Sequence, residues 1–259
     1  MPSQAPEPLG GTWILDLDGV IWLAGEPIPG SADAVARLRA AGIGVVFASN
    51  NSAPRLGELV DRLAHAGIEA DPGELVTSAQ AAAGLLAPGT SAFVCAEDGV
   101  VEALISRGVA VAGPEAADAV IVGWNRHFDF ELLSTATALI RGGARFIGTN
   151  EDATYPTPDG LLPGAGSILA AVATASQTSP EVAGKPHQPM VDLLRARVPD
   201  ARYVVGDRPS TDGRLAERLG VPFAHVRSGV TRDGREPMVV TPDEQSDDLA
   251  GLVDRLVGG

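Results

Sequence analysis

The sequence is short of cysteine, aromatic side chains, positive charge, long apolar runs and lysine, and each shortage removes a class of protein or narrows a role. A single cysteine, Cys95, excludes a disulfide framework. Its plain reading is a small buried hydrophobe. Aromatics make up 4% of the chain, so the core has to be aliphatic. Nineteen basic residues stand against 33 acidic ones, a net charge of −14. That balance argues against nucleic acid or an anionic membrane as partner, because both call for a basic surface. It leaves open a small anionic substrate held by a metal ion and one or two local cations. The longest apolar run, Ile168 to Ala175, falls short of the roughly 18 residues that span a bilayer. Met1 to Gly10 is proline-rich, with no basic region and no apolar centre, so it does not read as a signal peptide. The expected location is the cytoplasm.

Several familiar sites are missing as well. An EF-hand loop on Asp16 and Asp18 would put Ile14 at its first position and Gly25 at its closing glutamate. Lys185 is followed by Pro186, and the earlier glycine of a phosphate loop is missing. Gly164-Ala-Gly166 has Leu169 where a dinucleotide fingerprint needs its third glycine. No G-x-S-x-G elbow is present. His65, His127, His187 and His225 show no metal-ligand spacing. What remains is carboxylate chemistry.

The chain alternates strands and helices, which predicts an α/β fold with a parallel sheet. Strands are expected at 12–15, 43–47, 75–78, 92–95, 119–122, 145–148, 202–205 and 223–226. Helices are expected near 32–41, 54–65, 79–86, 98–107, 129–141, 165–176, 188–197, after 213 and at the end of the chain. Ser31 reads as an N-cap, and Ser246-Asp247-Asp248 as the cap of the last helix. Val20 to Gly30 reads as an irregular loop. The length suggests one α/β unit inserted into another.

Two acids stand where the first strand runs out, Asp16 and Asp18, with Gly19 turning the chain. Ligands of open α/β sheets gather at the carboxyl ends of strands. Such a pair can share a metal, or one acid can attack while the other moves protons. Asp207 follows Gly206 at a second strand end, and Asp212 lies five residues on. Asp16, Asp18 and Asp207 suit one hard divalent cation such as Mg²⁺, although an acid at a helix start also serves as a plain cap. Ser49-Asn50-Asn51-Ser52 lies between a strand end and a helix, a place that binds anions or is simply capped. Lys185 is the only lysine among the 19 basic residues; the rest are arginine. A lone survivor in a Gly-Lys-Pro turn suggests a site that needs a compact ammonium rather than a planar fork.

Taken in order, Asp16-x-Asp18-Gly19, Ser49, Lys185 and Gly206-Asp207-x-x-x-x-Asp212 resemble the four motifs of the haloacid-dehalogenase-like (HAD) hydrolases. Thr149-Asn150-x-Asp152, Pro163-Gly164-x-Gly166-Ser167 and Gly184-Lys185-Pro186 resemble its NagD-like, nitrophenylphosphatase branch, which carries a large α/β cap. The resemblance implies a Rossmann-like core over 1–80 and 180–259 with a cap over 81–179. It implies a phosphatase of small phosphorylated metabolites that works through an aspartyl-phosphate. Asp16 would be the nucleophile and Asp18 the acid and base. Ser49 would hold a phosphoryl oxygen with backbone N–H groups around Gly19, Asn50 and Asn51, and Lys185 would neutralise charge. Mg²⁺ would bind Asp16, the Asp18 carbonyl and Asp207, with Asp212 supporting. Asn150, Asp152 and the Trp124-Asn125-Arg126 loop would read the leaving group. A homodimer through the caps is a further expectation. Val20 and Gly213 depart from the usual pattern, Gly213 at a position where an apolar helix residue is common. A phosphomutase, a dehalogenase and a non-catalytic phosphometabolite binder are the alternatives.

Overall fold

The computed structural model describes residues 10–157, 160–229 and 237–258. The proline-rich segment 1–9, read above as no signal peptide, lies outside them. The chain packs into two compact units. The first takes the chain up to Ala48, Leu63–Glu74 and everything from Leu194 onward. The second takes Ser49–Arg62 and Leu75–Leu193.

In the first unit the strands lie in the order Glu244–Ser246, Phe223–Val226, Ala201–Gly206, Thr12–Leu15 and Gly44–Ser49, all parallel. Thr12-Trp-Ile-Leu sits between two neighbours, and Trp13, Ile14 and Leu15 are buried. A strand covered on both faces has no use for polar alternation, which is why it reads as a continuous apolar run. Trp13 and Tyr203, partners in register, pack with ring centroids 4.9 Å apart. Asp16 N–H still bonds to the Val205 carbonyl, so the sheet ladder fixes the backbone up to the first acid.

The second unit has its own parallel sheet, in the order Glu181–Val182, Arg145–Gly148, Ala119–Val122, Ser91–Cys95 and Ala110–Val111. Its core is aliphatic: Val120, Val122, Ile140, Leu169 and Val172 pack around Phe146 and Cys95. Cys95 is fully buried, and desolvation pushes its thiol up to about 12, with the Asp129 carboxylate adding to the shift. A hairpin, Thr154–Thr157 with Gly160–Pro163, stands apart from this sheet.

The α/β class and the main elements agree with the sequence, and the differences are local. Ser31 is the first helical residue, not the cap. Gly30 takes the N-cap position in a left-handed conformation, and the Ser31 hydroxyl donates instead to the carbonyls of Ile28 (2.7 Å) and Ile21 (3.0 Å). The 20–30 loop contains a two-residue hairpin, Trp22–Leu23 with Glu26–Pro27. Pro54 precedes its helix, which begins at Leu56. Asp248 caps the last helix as expected, accepting from Gly251 N–H at 2.8 Å. Among the described residues no helix is long and apolar enough to cross a membrane.

Candidate active site

Three carboxylates converge in the first unit. Asp16 leaves the end of one strand, Asp207 the end of its neighbour, and Asp212 the wide turn that follows. One oxygen of each lies within 4.8 Å of the others. Asp207 and Asp212 are fully buried and Asp16 is only 9% exposed. Like charges packed so closely are costly unless a cation is shared among them. Three hard oxygen donors with little other ligand chemistry suit a hard divalent ion. The backbone packs closely around the Asp207 carboxyl. A Cβ on Gly19 would lie 2.6 Å from the Asp207 carboxyl, and one on Gly229 would overlap it. The residues present therefore fit a divalent metal.

The surroundings of Asp212 and Asp207 differ. The wide turn Pro209–Gly213 runs three N–H groups, those of Thr211, Asp212 and Gly213, onto the Arg208 carbonyl, and Asp212 accepts from Arg208 N–H at 3.2 Å. Gly213 sits where a Cβ would meet Val240 at 3.0 Å and the Phe223 ring at 3.1 Å. Close packing thus accounts for the glycine at this position. Beneath Asp207 lies His225, whose Nε2 is 3.2 Å from the Asp207 carbonyl. Gln245 Nε2 stands 3.2 Å from His225 Nδ1 and is a donor only, so Nδ1 accepts and Nε2 carries the proton. Burial pushes this imidazole below its ordinary value, against the raising effect of the Asp207 carbonyl. It is a neutral brace, not a ligand.

Asp18 stands outside the three-carboxylate cluster. Its carboxylate accepts from the Trp22 indole N–H at 3.1 Å, and Gly19 N–H donates to the Trp22 carbonyl at 2.6 Å. Ser228 Oγ donates to the Gly19 carbonyl at 2.6 Å. The turn after the first strand is therefore tied on both sides. Neither Trp22 nor His225 was singled out from the sequence. Trp22 lies four residues from Asp18, and an indole donor so near an acid is a local signal that could have been used.

The second unit holds the other predicted residues. Ser49 ends its strand, and its Oγ accepts from Asn51 N–H at 3.0 Å. Ala53 N–H donates to Asn51 Oδ1 at 3.1 Å, so the loop satisfies part of its own donor set before the helix begins. Lys185 is 4% exposed and sits in a turn whose Lys185–Pro186 peptide is cis. Asn50 binds this turn twice: its Oδ1 accepts from Lys185 N–H at 2.7 Å, and its Nδ2 donates to the Lys185 carbonyl at 3.1 Å. The same Nδ2 donates to Asp152 at 3.2 Å. Asn150 Nδ2 donates to the Asn50 carbonyl at 2.7 Å, and its Oδ1 accepts from Asp152 N–H at 3.1 Å. Ser49, Asn50, Asn150, Asp152 and Lys185 thus belong to one packed region.

A cavity of about 640 Å³ opens beside Asn51 in this unit. Trp124, Arg126, His127, Tyr155 and Glu97 are among the side chains that line it. Trp124 and Tyr155 pack with centroids 4.9 Å apart, and the Arg126 guanidinium lies 5.1 Å from the Trp124 ring centre. Asn51 Nδ2 reaches the Tyr155 hydroxyl at 3.4 Å.

Residues 13–110 match the family described as haloacid dehalogenase-like hydrolase, and residues 182–252 match one described as HAD-hydrolase-like. An acid sugar phosphatase of Staphylococcus saprophyticus is 33% identical over 94% of this chain and 97% of its own length. The p-nitrophenyl phosphatase of Archaeoglobus fulgidus superposes with a TM-score of 0.87 at 30% identity, over 95% of this chain and 99% of that one. A glycerol phosphate phosphatase of Mycobacterium tuberculosis, solved with magnesium, gives 0.85 at 32% identity, over 93% and 76%.

Proposed function

The chain belongs to the haloacid-dehalogenase-like hydrolases, in the branch of NagD and the nitrophenylphosphatases, and is a phosphoric monoester hydrolase; within that activity we propose that it is a Mg²⁺-dependent phosphatase of small phosphorylated metabolites, acting through an aspartyl-phosphate on Asp16. The convergence of Asp16, Asp207 and Asp212 at two adjacent strand ends carries this proposal.

Phosphoryl transfer asks a protein mainly for positioning and for charge stabilisation. Asp16, at the end of a rigid strand, attacks phosphorus, and hydrolysis divides into two easier steps. Asp18, oriented by Trp22, gives a proton to the leaving oxygen and takes one from the water that cleaves the acyl-phosphate. Ser49 and the N–H groups of Gly19 and the Asn50–Asn51 segment hold phosphoryl oxygens. Lys185 offsets their charge. Asp16, Asp207 and the Asp18 carbonyl would hold the Mg²⁺, with Asp212 supporting. When bound, the ion withdraws charge from the phosphoryl oxygens. The organic half of the ester is assigned to the unit formed by Ser49–Arg62 and 75–193, residues 81–179 of which we take as the cap. Its cavity beside Asn51 offers aromatic faces and polar side chains suited to a sugar or polyol.

The test pairs a metabolite panel with one substitution. Asp16→Asn should lower p-nitrophenyl phosphate turnover by at least about a thousandfold while circular dichroism and melting stay near wild type. Chelation of divalent metal should stop the wild-type reaction, and Mg²⁺ should restore it. Turnover by Asp16→Asn near the wild-type rate would overturn the nucleophile assignment. Release of inorganic phosphate, with no isomerised phosphoester, separates this reading from a phosphomutase.

A further inference from the structure

We propose that Asn50 is the positioning residue for Lys185, and that Asn150 and Asp152 hold Asn50 in the orientation this requires. The inference rests on the assignment of Lys185 as the cation of the reaction. It turns on a side chain that the sequence offered only as part of a phosphate loop.

An asparagine amide has one acceptor end and one donor end. Here Oδ1 faces the Lys185 N–H, while Nδ2 faces the Lys185 carbonyl and an Asp152 carboxylate oxygen. Reversing the amide would set a donor against a donor and an acceptor against two acceptors, so the surroundings admit one orientation. The amide therefore grips both sides of one backbone residue, as a neighbouring β-strand would. Its own backbone is fixed in turn. The Asn50 carbonyl accepts from Asn150 Nδ2 at 2.7 Å and from Ser78 Oγ at 2.6 Å.

The Gly-Lys-Pro turn is seated on the same group. Gly184 N–H donates to the Thr149 carbonyl at 2.8 Å. A Cβ on Gly184 would lie 2.5 Å from that carbonyl and 2.6 Å from Asn50 Oδ1. Asn50, Asn150 and Lys185 are each buried, which leaves little water to replace a lost bond. A lysine stem has four rotatable bonds, and its ammonium is only as well placed as the Cα it hangs from. Fixing that Cα from a residue adjacent to Ser49 ties the phosphate-holding serine and the neutralising lysine to one framework. Misplacement by about 1 Å costs on the order of a hundredfold in rate, so such a tie has a kinetic consequence.

The experiment is a double-mutant cycle read in kcat with p-nitrophenyl phosphate, at saturating Mg²⁺. Asn50→Asp keeps the size and the acceptor but removes the donor and sets a carboxylate against Asp152. It should lower kcat by about 10- to 100-fold, with KM changed by less than about threefold. Lys185→Met should lower kcat further. If Asn50 acts through Lys185, adding Asn50→Asp to Lys185→Met should cost no more than about twofold beyond Lys185→Met alone. Losses that multiply would overturn the inference and make Asn50 an independent contributor. Wild-type kcat in Asn50→Asp would overturn it too. Should Asn50→Asp not fold, Asn150→Ser removes one supporting bond and should give the same non-additive pattern with a loss of about three- to tenfold. Full activity in Lys185→Met would instead refute the assignment of the lysine, an outcome the cycle shows separately.

Discussion

The two halves of the proposed chemistry are held by different means. The carboxylates of the first unit are placed by the backbone: Asp16 and Asp207 stand where neighbouring strands end, and Asp212 stands in the wide turn that follows. Lys185 is placed by a side chain, the amide of Asn50, which lies 135 residues away along the chain. Backbone placement resists most substitutions, because the sheet has to unravel before the acid moves. Side-chain placement is easily edited, since a single amide carries it. The first arrangement suits groups that define the reaction, and the second suits a group whose position is tuned.

Matched glycine substitutions break the two arrangements separately. Gly229→Ala drives a methyl into Asp207 and should weaken Mg²⁺ binding by about 10- to 100-fold, read directly by calorimetric titration of the metal. Gly184→Ala presses on Thr149 and Asn50 and should lower kcat by about tenfold or more while leaving the Mg²⁺ affinity within about twofold. Equal effects of both variants on metal affinity would erase the distinction.

A smaller effect tests the packing under the second unit. The Cys95 thiol, pushed up to about 12 from 9.0, stays protonated in the fold at pH values where an unfolded thiol ionises. The unfolded state then holds fewer protons, so stability falls as pH rises between about 9 and 12, by about 1.4 kcal/mol per unit from this group alone. It is fully present below pH 9. Cys95→Ala should flatten that part of the stability curve in urea unfolding, at the expense of a small cavity, and iodoacetamide should fail to label folded wild type at pH 8.5. The smallest effect belongs to the first unit: Asp248→Ala removes an N-cap and should cost about 1 kcal/mol of stability, leaving activity intact.

This contrast also explains what could be read from the sequence. Asp16 and Asp207 stood out because strand ends are written in local pattern, an apolar run with acid and glycine at its end; Asp18, read with them, lies outside the carboxylate cluster, and Asp212, in a turn, takes its place there. The parallel sheets and the final helix cap were legible for the same reason. Lys185 was noticed through composition, as the one lysine left. Its surroundings were not legible, because a bond from Asn50 to a turn 135 residues away leaves no periodic trace. Asn150, read as a leaving-group contact, has its amide bonded to Asn50 and Asp152. The polar edge strand Glu244–Ser246 and the hairpin carrying Pro156 went unseen because neither has the apolar or alternating signature of a strand. Gly213, at a position where an apolar helix residue is common, is a packing requirement of Val240 and Phe223.

A solitary, buried ε-amine also makes the protein its own gauge of motion. Amine-directed reagents have one lysine side chain to modify, and it is 4% exposed. Reductive methylation with labelled formaldehyde therefore attaches one side-chain isotope tag, with no sequence-wide assignment required. The rate of that tagging, compared between folded and denatured protein, counts how often the turn at Gly184 swings open.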